Sequence, residues 1–156
     1  MMARALVVAL VCGVLGLMGC GGGSSSPDNG VVGNWMFVNS TGDSGFAFDA
    51  KADGTYVIGL LSLTSTSTAN AQVEEGNWSA TSTMLTTTPT KWSCTGTDPA
   101  ETDSYDIANG DLTVTTSGGI IVLQPNTTPV SSSFVLTFGC FDQNGNFAAQ
   151  PLGPVQ

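Results

Sequence analysis

From Val31 onward, no ten-residue window of the chain carries the apolar spacing of an amphipathic helix. Short runs rich in Val, Ile, Thr, Phe and Trp recur instead, each bounded by turn-forming residues. The pattern predicts strands at Val31–Val38, Gly45–Ala50, Thr55–Leu63, Ala71–Ser79, Met84–Thr88, Lys91–Thr95, Ser104–Ala108, Leu112–Thr116, Ile120–Gln124 and Ser133–Phe141. Between them stand Asp53-Gly54, Asn109-Gly110 and Gly118-Gly119, pairs that tolerate the positive φ angles of tight hairpins. Connections this short favour pairing between sequence neighbours. An all-β fold of about eight to ten such strands closes most simply into an antiparallel up-and-down barrel.

Alternation sorts the side chains of these runs. Trp35 and Phe37 share a face, as do Phe46 and Phe48, then Tyr56, Ile58 and Leu60. Tyr105 pairs in this sense with Ile107, Leu112 with Val114, and Phe134 with Leu136 and Phe138. Successive strand residues point to opposite faces, so these sets are expected to line one interior, with Thr113 and Thr115 outward. Cys94 has the parity of Trp92, and Cys140 that of Phe134, which turns both thiols toward that interior or its rim.

The N-terminus has a different character. Ala5–Met18 is apolar throughout and as a helix would reach only about 21 Å, short of a bilayer core of roughly 30 Å. Arg4 precedes it and the small Gly19 follows, as in a secretory signal peptide. Leu17-Met18-Gly19-Cys20 resembles the lipobox of bacterial lipoproteins, with Met18 less usual at its position. That resemblance implies cleavage after residue 19 and acylation of Cys20, and two or three acyl chains anchor stably where one does not. Gly21–Ser26 then serves as a tether within residues 20–30, ahead of a domain over 31–150 and a trailing tail at 151–156. The expected location is the cell envelope, held by lipid at the outer membrane on its periplasmic or surface face.

Charge narrows the partners. The chain has twelve Asp and Glu against three basic residues and no histidine. Nucleic acid and anionic headgroups would repel such a surface. After Cys12 leaves with the leader and Cys20 takes lipid, Cys94 and Cys140 remain as one pair in an oxidising compartment, where a disulfide is the default. A reactive or metal-binding thiol is the rival.

The segments "VVGNWMFVNS", "FDAKADGTYVIG", "EEGNWSATSTMLTTT" and "YDIANGDLTVTT" resemble the lipocalin-like domains of bacterial lipoproteins, which repeat Gly-x-Trp, Asp-Gly-Thr-Tyr, Gly-x-Trp and a strand ending on Leu-Thr. The resemblance covers roughly Val31 to Leu123. It implies a barrel with Trp35 at its closed base and, more weakly, ligand binding.

Without histidine there is no Ser-His-Asp or Cys-His pair and no imidazole metal ligand, so a non-catalytic domain is expected; the chain is also expected to be a monomer and to carry no cofactor. Glu74 and Glu75 point to opposite faces and cannot converge on one bond. Glu74 shares parity with Trp78 and turns inward if Trp78 does; it is then a polar contact for a ligand, or a rim residue in water. Asp98, Glu101, Asp103 and Asp106 form an acidic stretch that suits calcium or is simply solvated. Asp142, Asn144 and Asn146 echo a calcium loop but lack its glycine and glutamate, which leaves a turn. The ligand contacts expected are Glu74, Tyr56, Tyr105, Trp35 and Trp78, and the ligand is small and apolar or amphipathic. The competing expectation is a structural barrel filled by its own side chains. An interior cavity above roughly 300 Å³ would separate the two. An enzyme working through carboxylates is the remaining class.

Overall fold

A computed structural model describes residues 30–96, 99–127 and 134–155. The leader, Cys20 and the Gly/Ser tether lie outside the described residues, as does Asp98. Within them the regular elements are strands: β1 (Gly33–Val38), β2 (Ser44–Ala50), β3 (Thr55–Leu63), β4 (Thr68–Ala80), β5 (Met84–Trp92), β6 (Glu101–Ala108), β7 (Asp111–Thr116), β8 (Gly119–Asn126), β9 (Val135–Phe141), β10 (Phe147–Ala149) and β11 (Gly153–Pro154).

Strands β1 to β8 each pair antiparallel with the next, and β8 returns to β1 through Asn34↔Asn126 and Trp35↔Pro125. The result is a closed eight-stranded up-and-down barrel with three further strands outside the circuit. Turn chemistry sets the register. Asn109 (φ 57°) and Gly110 (φ 91°) both sit at positive φ, as a two-residue hairpin requires. Asp53 Oδ1 accepts from the backbone N–H of Thr55 at 2.9 Å and from its hydroxyl at 2.6 Å, fixing the β2–β3 turn.

One end of the barrel is shut by aromatic side chains that donate to loop carbonyls. Trp35 Nε1 donates to Val31 O at 2.8 Å, Trp78 Nε1 to Lys51 O at 3.0 Å, and the Tyr105 hydroxyl to Thr81 O at 2.7 Å. Around them Leu112, Leu123, Phe48 and Val31 are buried in one core cluster. Trp35 therefore stands at the closed base.

Several expectations need correction. Met84–Thr88 and Lys91–Thr95 were expected as two strands, yet β5 runs unbroken from Met84 to Trp92 through Pro89. The pairing with β4 slips between Glu75↔Lys91 and Gly76↔Pro89, leaving Thr90 as an extra residue on β5. Such a bulge is where a sheet tolerates a proline, because no ladder N–H is needed there. The extra residue belongs to β5, so alternation along β4 is undisturbed.

β9 departs from the meander. It pairs in parallel with the first residues of β4, through Ala69↔Leu136 and Ala71↔Phe138, along the edge that β5 does not reach. Phe134, Leu136 and Phe138 consequently face outward rather than inward. Phe134, Leu136 and Leu152 pack with Ala47, Leu61, Ala71 and Val73 in a second cluster on the outer face. The small side chains at Ala47, Ala69 and Ala71 leave room for this layer. The expected tail at 151–156 is also engaged, since Gly153 and Pro154 pair with Trp92 and Lys91.

Where β5 ends and β9 takes over, Ser93 joins three strands. Its amide donates to Val73 O at 2.9 Å, its hydroxyl accepts from Val73 N at 2.7 Å and donates to Gly139 O at 2.6 Å. The next residue, Cys94, is bonded to Cys140, with Cα atoms 4.9 Å apart. The disulfide expectation holds. The bridge spans this seam, with Cys140 Sγ 3.9 Å from Oε1 of Gln72. In the β9–β10 turn, Asp142 Oδ1 accepts from the amides of Asn144 and Asn146, both at 2.8 Å, a turn as expected. The Asn146 side chain, donating to the same carboxylate, leads in holding it below the usual aspartate range.

Candidate functional site

Toward the end opposite the shut base lies a cavity of about 420 Å³, open to solvent on one side. Its walls differ in chemistry because of which strands supply them. β2 and β3 contribute Phe46, Phe48, Ile58 and Leu60, and β7 and β8 contribute Val114, Ile121 and Leu123. β4, β5 and β6 contribute Gln72, Glu74, Thr87, Trp92, Glu101 and Asp103. The first side is apolar apart from Thr116, and the second carries three carboxylates and an indole beside Val73 and Leu85.

Glu74 projects inward from β4 directly opposite Trp92 on β5. The Tyr56 hydroxyl donates to Glu74 Oε1. Their meeting depends on Gly76, the β4 partner of Tyr56. A Cβ at Gly76 would come within 2.8 Å of Tyr56 Cε1 and 2.2 Å of Thr88 O, so only glycine lets the ring lie flat and reach along β4. Glu75 points the other way, to a salt bridge with Lys91 at 2.9 Å. The two adjacent carboxylates are thereby separated, one into the cavity and one to the outer surface.

Glu101 lies opposite Thr87, and Asp103 opposite Leu85. Burial pushes the Asp103 carboxyl above its ordinary range. Among the described residues no group of three or more His, Cys, Asp or Glu is arranged to hold a metal ion. The basic side chains of the described residues are Lys51, in the β2–β3 turn at the shut end, and Lys91, on the outer face. Every ionisable side chain lining the cavity is thus an acid.

Phe37 and Leu60 have the inward parity expected of them but stand at the mouth, 47% and 45% exposed. With Phe46, Ile120 and Phe141 they border a wider groove of about 970 Å³ at the rim.

Of the expected contacts, Glu74 lines the cavity and Tyr56, 1% exposed, supports it from beneath. Trp35, Trp78 and Tyr105 do not line it, because their polar atoms are committed to closing the base. Trp92, Glu101 and Asp103 were not anticipated there. A signal existed: Glu101 and Asp103 continue the parity of Tyr105 and Ile107, so extending that inward face by two more positions finds them. Asp106 falls on the opposite parity.

Comparison of the chain with protein-family models, curated proteins and solved structures finds no match.

Proposed function

We propose that this chain is a lipid-anchored protein of the bacterial cell envelope whose barrel holds a small apolar or amphipathic molecule. The observation that carries the reading is the cavity itself. At about 420 Å³ it exceeds the roughly 300 Å³ at which small-molecule pockets begin, with apolar walls and a few placed polar groups. A filled structural barrel describes only the shut end, around Leu112, Val31 and Trp35. Eight-stranded barrels accommodate either arrangement, and here the two occupy different halves of one interior.

The anchor rests on Leu17-Met18-Gly19-Cys20 and on the lipoprotein resemblance. From Cys20 to the start of β1 at Gly33 the chain is long enough to span about 40 Å if extended. A lipid at Cys20 would therefore leave the barrel room to stand clear of the bilayer. The protein acts as a monomeric carrier or receptor for its ligand rather than as an enzyme.

The test is titration of the full chain carrying Cys20→Ser, which removes the acylation site, with the neutral apolar dye N-phenyl-1-naphthylamine. Saturable enhancement of dye emission, with quenching of tryptophan, is expected. Emission that rises linearly with dye would overturn the ligand site and return the barrel to a structural role. The anchor is tested separately: native protein should carry an acyl mass increase that Cys20→Ala abolishes.

A further inference from the structure

We infer that the molecule held in this cavity is a cationic amphiphile, an alkyl or aryl amine or quaternary ammonium compound. The inference rests on the reading of the cavity as a ligand site and specifies its chemistry.

Three observations converge. The cavity volume and the largely apolar wall from β2, β3, β7 and β8 suit a short hydrocarbon or ring. The facing wall presents Glu74, Glu101 and Asp103, with no basic residue lining the cavity to receive a carboxylate or phosphate head group. Trp92 stands beside Glu74 across the β4–β5 ladder, and an indole face next to a carboxylate is a favourable seat for an ammonium group. The two lysines of the described residues are directed elsewhere, Lys91 by its ion pair with Glu75 and Lys51 by its place at the shut end. An anionic head group would sit among like charges in a partly desolvated site, which is strongly unfavourable. A cation there would meet three carboxylates on one wall. The charges are not uniformly committed to structure either: Glu74 accepts from Tyr56, while Glu101 and Asp103 extend from β6 along the same wall. Fatty acids, natural candidates for an apolar barrel, are therefore disfavoured by the wall that the head group would meet.

The experiment compares three ligands of equal chain length, octyltrimethylammonium, octanol and octanoate, by displacement of the bound neutral dye from the full Cys20→Ser chain at low salt. The cation is expected to bind at least tenfold more tightly than octanol, and octanoate more weakly than either. In the Glu101→Gln, Asp103→Asn double variant the advantage of the cation over octanol should shrink severalfold, while octanol affinity stays within about twofold. Equal binding of all three ligands by the wild type would overturn the cationic inference and leave the ligand site standing. Displacement by none of them would overturn the cationic inference, and only a chain that takes up no dye would overturn both. A cation preference unchanged in the double variant would remove the β6 carboxylates from the account. Should that variant fail to fold, the ranking of the three ligands on the wild type still decides.

Discussion

Tyr56 and Glu74 are joined by a side-chain hydrogen bond across β3 and β4, and the bare backbone of Gly76 is what allows them to meet. The sequence places glycine opposite tyrosine, the ring fills the space where a side chain would be, and the hydroxyl reaches the carboxylate that lines the cavity. Tyr56→Phe is expected to cost about 1.5–3 kcal/mol, the usual worth of a hydrogen bond to a charged group. Gly76→Ala should cost about 1–3 kcal/mol through overpacking against Tyr56 and the β5 backbone. Denaturant melts of the two variants check this. A Gly76→Ala protein as stable as wild type would show that the close approach relaxes freely.

At the seam between β5 and β9, Ser93 and the Cys94–Cys140 bridge hold the C-terminal layer to the barrel. The bridge closes a separation of 46 residues, for which the chain-entropy model gives about 4 kcal/mol. Ser93→Ala removes the partner of two buried backbone groups and should cost about 2–4 kcal/mol. Amide exchange should show β9 and β10 losing protection before β1–β3 in reduced protein. Uniform loss throughout would mean that barrel and outer layer unfold as one unit.

Asp49 carries a buried Oδ1 with no hydrogen-bond partner among the described residues, and burial raises its pKa although Lys51 opposes the shift. A carboxyl whose folded pKa is raised costs stability when ionised. That cost is absent below the ordinary value of 3.8 and complete once pH exceeds the raised value. Asp49→Asn should therefore melt higher than wild type at pH 7, and the difference should close as pH falls toward 3. A constant difference across that range would assign the effect to packing rather than charge.

Much of the barrel was legible because alternation and turn chemistry are local. Asn109-Gly110 and Asp53-Gly54 marked their hairpins, and Tyr56, Ile58, Leu112 and Val114 marked the inward face. The outer layer was not legible. Phe134, Leu136 and Phe138 alternate like any half-buried strand, and alternation does not say which strand they pair beside or in which direction. That was decided by parallel pairing with Ala69 and Ala71, a contact between residues far apart in sequence. Pro89 suggested a break where the register slip absorbed it. The acidic wall was missed for a related reason: Glu101 and Asp103 have poor strand propensity, and their place in β6 is set by pairing with Thr87 and Leu85 across the ladder.

The most direct test of the central claim is where a bound ligand's alkyl chain lies. Intermolecular NOEs from saturating octyltrimethylammonium should reach methyl groups of Ile58, Val114, Ile121 and Leu123, inside the cavity. Contacts confined to Ile120 and Val122 on the mouth and outer face, or no contact at saturation, would contradict the barrel interior as the binding site.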